Sequence, residues 1–295
     1  MTARRAGVVV GRETGPVNVT CEVLERRKEG AYWRLVLSAR TLAGRSEPGQ
    51  FVQVAVEGQH TLLRRPFSIA RATRQGAEGG TLEVVFDAHG PGTEWLTRCS
   101  PHDVLDVIGP LGTPFPLPKR DVGCVLVGGG YGSAPLYWLG ETLNRMGLRV
   151  DSVIGAASGE RLHGVMDAKR VSASATFTTD DGSYGTQGRV TDVLGTVIER
   201  SGAQLLYACG PNPMLAAVTA VAKHYGIAVQ VAVEEKMACG TGVCFTCVLP
   251  VRDKTGTVTM RRACLEGPVF DGTAIAWDES RYNVSSPVET EAVDD

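Results

Sequence analysis

The sequence predicts an antiparallel β barrel, then an α/β domain with a doubly wound parallel sheet, and then a small C-terminal domain built around cysteines. Three observations lead to this fold class. The first third of the chain consists of short β-rich segments, the middle alternates strand and helix patterns, and the last part holds half of the eight cysteines. A length of 295 residues accommodates two or three domains of ordinary size.

Composition narrows the possible functions. The formal net charge is −2, so the chain lacks the strong positive charge that attracts nucleic acid or anionic membranes. The first residues lack the apolar core and cleavage site of a signal peptide. Cysteines in such a chain are more often metal ligands or buried small residues than disulfides. We therefore expect a cytoplasmic protein.

The barrel is predicted for residues 1–118. Its β-rich segments, bounded by glycine, proline and serine, are 31–39, 50–56, 81–88 and 103–109. Strands at this spacing are typical of a small antiparallel barrel or sandwich. The proline-rich stretch 110–120 predicts a linker, because proline suits neither a helix nor a central strand.

Residues 119–230 alternate short apolar strands with helical patterns. A buried strand, a glycine turn and an amphipathic helix come first, and four more strands and two more helices follow, the last strand starting near residue 227. Strand and helix in alternation imply parallel crossover connections, so we expect a doubly wound sheet with helices on both faces.

Four cysteines dominate the third domain, residues 231–295. The first three have the spacing C-x4-C-x2-C, and sixteen residues separate the third from the fourth; they are Cys239, Cys244, Cys247 and Cys264. This spacing is the plant-type pattern for a [2Fe–2S] cluster. Gly240 and Gly242 would let the loop turn tightly around it. The alternatives are a zinc site, which more often uses two spaced pairs, and buried cysteines that only pack.

A second motif lies in the barrel. Arg65, Pro66, Phe67 and Ser68 are expected at the end of a strand, where a guanidinium beside a hydroxyl suits a flavin diphosphate and the flavin ring. Gly92 and Thr93 precede an apparent helix start, where backbone N–H groups bind phosphate. Taken alone, this arginine could equally be an exposed residue at a strand end.

A third motif follows the first strand of the α/β region. Gly128, Gly129, Gly130 and Gly132 would allow a tight turn and the close approach of a pyrophosphate. The motif departs from the strict G-x-G-x-x-G, so an ordinary strand–helix connection remains an alternative. Cys209 ends a later strand at the carboxyl edge of the sheet, where ligands bind in such folds, although a small buried residue would serve packing equally well.

These motifs, in this order, resemble the ferredoxin reductase family. The matching stretches are RRPFSIA, GPGTEWL, GGGYGSAP and ACGPNPML. Together with CGTGVCFTC and RACLEGPVFDG, the chain resembles more narrowly the electron-transfer subunits of dihydroorotate dehydrogenase B. One departure is Tyr131, where the family commonly has an aliphatic residue.

The resemblance implies particular cofactor contacts. FAD contacts are implied at Arg65, Pro66, Phe67, Ser68, Val85, Phe86, Asp87, Gly92 and Thr93, and [2Fe–2S] ligands at the four cysteines named above. It also implies that Cys209 lies beside the nicotinamide, near the hydride path. The residues Ser158, Glu160 and Arg161 leave NAD and NADP both open, whereas the resemblance favours NAD.

Three carriers in one chain imply an electron path. Nicotinamide exchanges two electrons as hydride and a [2Fe–2S] centre exchanges one, so flavin, which does both, is expected between them. No stretch remains for a substrate site, so the cluster must face a partner. The resemblance implies an FMN-containing dihydroorotate dehydrogenase catalytic subunit, in a heterotetramer of two plus two, serving pyrimidine biosynthesis. The alternative is a reductase subunit for another partner, such as a ferredoxin–NADP transhydrogenase, a hydrogenase or an oxygenase.

Overall fold

The computed structural model describes residues 15–57, 62–75 and 79–277. The N-terminal segment used above for the signal-peptide argument lies almost wholly outside these residues, as does the acidic C-terminal stretch. In the part of the chain described, no helix is long and apolar enough to cross a membrane.

Six antiparallel strands close the predicted barrel in the order β1-β2-β5-β4-β3-β6. The strands are β1 (Val17–Glu29), β2 (Tyr32–Ser38), β3 (Phe51–Val54), β4 (Arg65–Thr73), β5 (Thr81–Phe86) and β6 (Val104–Leu111). Helix α1 (Arg40–Arg45) follows β2. Helix α2 (Pro91–Leu96) follows β5 and starts earlier than predicted, so Gly92 and Thr93 lie in its first turn and not before it. Alternate residues of the strands fill the interior, among them Leu35, Ile69 and Leu82, all fully buried.

Strand β1 was missing from the sequence-based prediction. Its second half is the charged run 25–29, which reads as solvated surface, yet it continues the pairing with β2. Arg34 of β2 explains this order, because its guanidinium donates to Glu29 at 2.9 Å and also to Glu83 of β5. Cross-strand ion pairs thus hold the charged end of the barrel together.

The middle of the chain forms the predicted doubly wound sheet. Its parallel strands are β7 (Cys124–Gly129), β8 (Val150–Ala156), β9 (Ser174–Thr179), β10 (Thr186–Gln187), β11 (Leu205–Cys209) and β12 (Ala228–Ala232). The helices are α3 (Ala134–Arg145), α4 (Val165–Val171), α5 (Val190–Ser201) and α6 (Asn212–Tyr225). The strand order reverses beside β7, because β8 pairs with one side of it and β11 with the other. This reversal places a ligand crevice at the carboxyl ends of β7 and β11.

The cysteine segment adds a hairpin of β13 (Val248–Arg252) and β14 (Val258–Arg262), and then β15 (Val269–Asp271). Strand β15 pairs antiparallel with β12 and completes a seven-stranded sheet of order β10-β9-β8-β7-β11-β12-β15. The last strand of the sheet therefore comes from the part of the chain that carries the four cysteines, and it fixes that part against the α/β region.

The stretch predicted as a linker is a packed connection. Pro110 and Leu111 still belong to β6, and Phe115 is buried with its ring 5.5 Å from that of Tyr207. The hydroxyl of Tyr207 donates to the carbonyl of Pro116 at 2.7 Å. Phe115 thus anchors this stretch in the core of the parallel sheet, so the stretch does not behave as a free spacer.

Candidate functional site

A cavity of about 260 Å³ lies where the barrel, the sheet and the cysteine segment meet. The barrel contributes Arg65, Pro66, Phe67, Ser68, Val85, Phe86, Asp87 and Thr93; the sheet contributes Tyr131, Gly132, Cys209 and Gly210; the cysteine segment contributes Glu234, Met237 and Pro268. Residues far apart in sequence thus converge on one space, and most of the positions singled out by the sequence are among them.

The start of β4 builds the barrel wall of this cavity. Phe67 turns into the barrel against Phe86, at 5.4 Å between ring centroids, and alternation turns Ser68 outward, where it is exposed. Arg65 is half-buried and lies directly over Gly92, since a β-carbon at residue 92 would come within 2.6 Å of the Arg65 Nε atom. The backbone at Gly92 and the guanidinium therefore share a cradle that only glycine leaves open.

The end of β5 connects the barrel to the sheet. Val85 and Phe86 are buried, and the half-buried Asp87 accepts a hydrogen bond from Arg161 at 2.6 Å. The hydroxyl of Tyr32 also donates to the Arg161 carbonyl at 2.9 Å. Arg161 is one of the residues that left NAD and NADP both open, because an arginine can bind a 2′-phosphate, but here its guanidinium is engaged by Asp87 of the barrel.

The glycine turn after β7 lines a second, larger cavity of about 640 Å³ at the reversal of strand order. Gly129, Gly130 and Gly132 border it, and Gly130 has φ of +54°. Gly128 is not brought to either cavity. It is buried near the end of β7, where a β-carbon would lie 2.6 Å from that of Ser133, so its role in the structure is close packing.

Cys209 ends β11 directly opposite Gly128 in the neighbouring strand. The side chain is buried, and burial together with the nearby Glu234 carboxylate raises the pKa of its thiol to about 12. The thiol is consequently neutral at physiological pH, and it can donate a hydrogen bond but cannot act as a thiolate.

Glu234 is a cavity residue that the sequence reasoning did not identify. Its carboxylate accepts a hydrogen bond from the hydroxyl of Tyr131 at 3.1 Å, and burial together with this carboxylate raises the Tyr131 pKa. The sequence feature that could have indicated Glu234 is its place just beyond β12, because an acidic residue at the carboxyl edge of a parallel sheet often contacts a ligand.

The loop 239–247 gathers hydrogen-bond donors around its first thiol. The Sγ atom of Cys239 accepts from the backbone N–H groups of Thr241 and Cys244, each at 3.4 Å. Burial alone would raise the pKa of Cys239, but these backbone hydrogen bonds outweigh it and lower the pKa to about 6. Gly240 and Gly242 have φ of +69° and +86°, which the turn requires.

The four cysteines form two pairs. Cys239 and Cys244 lie on the accessible side, whereas Cys247 and Cys264 are buried, and burial with the adjacent Cys247 thiol raises the pKa of Cys264 to about 12. In the described residues, no three His, Cys, Asp or Glu side chains converge on one point as ligands of a single ion do. Four thiols in two pairs fit the donor set of a two-iron cluster, in which each iron takes two thiolates.

Arg262 secures this loop and was also missed. Its guanidinium lies 4.9 Å from the centre of the Phe245 ring and donates to the carbonyl of Gly242 at 3.0 Å. A further ion pair with Glu266, at 2.8 Å, holds the arginine in place. An arginine two residues before a cysteine carries no sequence signal of such a role.

A barrel with an arginine cradle, a nicotinamide-type crevice and two pairs of thiols define the class of ferredoxin-reductase-like electron-transfer proteins. Residues 234–276 match the family model described as the iron–sulfur cluster binding domain of dihydroorotate dehydrogenase B. A solved structure of an NADH-dependent reduced ferredoxin–NADP oxidoreductase has a TM-score of 0.76 and 29% identity, covering 88% of this chain and 90% of that one.

Two curated relatives carry the name dihydroorotate dehydrogenase B (NAD(+)), electron transfer subunit. The relative from Geobacillus thermodenitrificans is 40% identical over 89% of this chain and 97% of its own length. The relative from Shouchella clausii is 39% identical over 81% and 90% of the two chains. The chain belongs to the family of dihydroorotate dehydrogenase B electron-transfer subunits.

Proposed function

We propose that this chain carries electrons between an FMN-containing dihydroorotate dehydrogenase catalytic subunit and NAD, in the biosynthesis of UMP. The observation that supports this proposal most directly is the single cavity that is lined by residues of the barrel, the sheet and the cysteine segment together. When bound, nicotinamide exchanges a hydride, the [2Fe–2S] cluster exchanges single electrons, and FAD exchanges with both. The residues of the chain hold these groups in sequence.

The barrel residues hold FAD. Arg65 binds its diphosphate beside the backbone of Gly92 and Thr93, in the cradle described above. Ser68 would offer its hydroxyl to the bound flavin from the cavity side, and Pro66 and Phe67 would line the same wall. Val85, Phe86 and Asp87, at the end of the neighbouring strand β5, continue this wall, where the two buried apolar residues exclude water.

The carboxyl edge of the sheet holds NAD. Gly129, Gly130 and Gly132 leave room for its pyrophosphate, and Gly128 keeps the turn tight. Cys209 is the catalytic residue of this site, because its neutral thiol lines the cavity that it shares with Ser68. Its burial excludes water from the path between nicotinamide and flavin.

The four thiolates of Cys239, Cys244, Cys247 and Cys264 hold the cluster, and its accessible side faces the partner. Val243, Phe245 and Leu265 expose 77%, 59% and 49% of their surface around the exposed Cys244. Apolar side chains of this size are unusual on a free surface and typical of interfaces. The catalytic subunit docks here, and two copies of each chain form a heterotetramer.

Three functional divisions follow from these roles: residues 1–118 bind FAD, residues 119–230 bind NAD, and residues 231–295 bind the cluster, with β15 joining the last two. The chain functions in the cytoplasm, where reducing conditions keep its eight cysteines as free thiols.

Reconstitution with a catalytic subunit tests this proposal. The chain, co-expressed without oxygen with a dihydroorotate dehydrogenase of the FMN type from a related bacterium, should co-purify with it and reduce NAD at the expense of dihydroorotate. FAD, iron and acid-labile sulfide should be present at one FAD and two irons per chain. A chain that holds these cofactors but couples NADH only to ferredoxin would instead support the role of the structurally similar ferredoxin–NADP oxidoreductase.

A further inference from the structure

Gln53 is a polar side chain in an otherwise apolar strand of the barrel. In β3, Val52 and Val54 point into the barrel, and alternation turns Phe51 and Gln53 to the outer face. That outer face is covered, so Gln53 is fully buried, with no measurable exposure. Its neighbours across the sheet are Pro66 of the flavin strand and Ile108 of β6.

Both polar atoms of the Gln53 carboxamide are buried without a hydrogen-bond partner. Each buried polar group that lacks a hydrogen-bond partner costs on the order of 1–3 kcal/mol of stability. The protein would therefore be more stable with an apolar side chain of the same shape at this position. Gln50, three residues earlier, shows the ordinary case, because its amide donates to Gly112 and accepts from the Glu47 N–H, each at 2.9 Å.

The carboxamide lies against the loop of the first three cysteines. A β-carbon at Gly240 would come within 2.3 Å of the Gln53 Nε2 atom and 2.7 Å of its Cγ atom. Gly240 separates Cys239 from Thr241, whose N–H donates to the Cys239 sulfur. The unpartnered NH₂ group therefore lies beside the segment that would enclose the cluster.

We propose that the Gln53 carboxamide donates a hydrogen bond to the cluster unit held by the four cysteines, and that it raises the reduction potential of that cluster. The inference rests on the proposed cluster site. A donor near the sulfurs stabilises the reduced cluster, which carries more negative charge, more than the oxidised one. Because Gln53 pairs with Pro66 of β4, a residue on the strand next to the proposed FAD-binding strand helps to set the potential of the next carrier.

Redox titration of the cofactor-loaded chain tests this role. In Gln53→Met, which keeps the shape and removes the donor, the cluster midpoint potential measured by electron paramagnetic resonance should fall. In Gln53→Glu it should fall less, because a carboxyl buried without a partner stays protonated and can still donate a hydrogen bond. The FAD potential, followed by absorbance in the same samples, should stay unchanged in both. Gln50→Met is the matched control, since its amide is already satisfied by backbone, and its cluster potential should equal that of the wild type.

Two outcomes overturn the inference. A fully loaded Gln53→Met protein whose cluster potential equals the wild-type value would show that Gln53 is only structural, while leaving the proposed function intact. Wild-type protein without iron, sulfide or a paramagnetic signal after reduction would remove the proposed function and this inference together.

A measurement on the wild-type chain covers the case in which the variants lose their cluster. Glutamine labelled with ¹⁵N in the side-chain amide, incorporated into the reduced holoprotein, should give a ¹⁵N hyperfine coupling in electron spin echo modulation. The absence of any such coupling would contradict a hydrogen bond from Gln53.

Discussion

Cys209 and Cys239 show how the surroundings of a thiol decide its chemistry. Cys209 is enclosed at the end of a strand beside a carboxylate, and its pKa is raised to about 12. Cys239 sits in a loop that directs two backbone N–H groups at its sulfur, and its pKa is lowered to about 6. The first thiol therefore stays neutral, whereas the second is largely a thiolate at neutral pH, which is the form that binds a metal ion.

Cys244→Ala should separate the two halves of the electron path. The change removes the exposed member of the four proposed cluster ligands. Electron delivery to the catalytic subunit should therefore fall by about 100-fold or more. NADH oxidation by a dye that accepts electrons from FAD should remain within about twofold of the wild type, since the barrel and sheet are untouched. Stopped-flow absorbance measures both rates.

Cys99→Ala is the control for this variant, because Cys99 is buried in the barrel core and has no cluster role. Equal loss of dye reduction and partner reduction in Cys244→Ala would contradict a sequential path.

Asp180 should decide the choice of coenzyme. It follows β9, is exposed, and lines the larger cavity, where a carboxylate accepts from a ribose hydroxyl and repels a 2′-phosphate. Asp180→Ser should reduce the preference for NADH over NADPH by about tenfold, mainly through a lower KM for NADPH. Steady-state dye reduction with both coenzymes measures the ratio.

Asp181→Ser is the matched control, because the Asp181 carboxylate is occupied by the N–H and hydroxyl of Ser183 and does not line the cavity. A coenzyme ratio that changes equally in both variants would mean that general charge, rather than contact at residue 180, sets the preference.

At the scale of elements, the features that the sequence predicted correctly are those set by residues close together in the chain. The barrel strands, the alternating α/β pattern and the cysteine spacing follow from periodicity, turn residues and ligand geometry. The pairing of β15 with β12, the burial of Gln53 and the contact of Arg262 with Phe245 do not, because each depends on which distant segment covers a given face. Gly128 illustrates the same limit, since a glycine needed for packing looks identical in sequence to one needed for a ligand.

The charged end of β1 gives an element-scale test of barrel stability. Arg34 has a side chain only 12% exposed and bridges Glu29 and Glu83, so Arg34→Met would leave two half-buried carboxylates facing each other. We expect a loss of about 2–3 kcal/mol in the free energy of unfolding, measured with urea at pH 7.

The pH dependence of this bridge has a definite sign. Burial would raise the pKa of Glu29, but Arg34 and Arg27 outweigh it and lower that pKa below its ordinary value. The contribution of the bridge is therefore present above the ordinary pKa and is lost as pH falls through the lowered one. Arg34→Met combined with Glu29→Gln and Glu83→Gln should recover most of the stability. No recovery would show that the guanidinium acts through packing instead of charge.

At the scale of the whole molecule, the barrel, the sheet and the cysteine segment meet at one cavity, and the cysteine segment also exposes an apolar surface around Cys244. The barrel and sheet are joined by the Asp87–Arg161 ion pair, and the cysteine segment is joined to the sheet by β15. The apolar surface around Cys244 is thus carried by a segment fixed at both ends. A rigid exposed apolar patch next to a redox loop gives a partner a defined place to dock.

Val243→Asp should weaken this docking without affecting the cofactors. Val243 is 77% exposed, so the new carboxylate costs little in the free chain, but in the complex it would be desolvated beside the catalytic subunit. We expect a loss of about 2 kcal/mol, or about 30-fold in Kd, by calorimetric titration with the catalytic subunit. Met166→Asp, on α4 and 75% exposed, is the control and should bind normally. Unchanged affinity in Val243→Asp, with iron, sulfide and FAD at wild-type levels, would place the partner on another face.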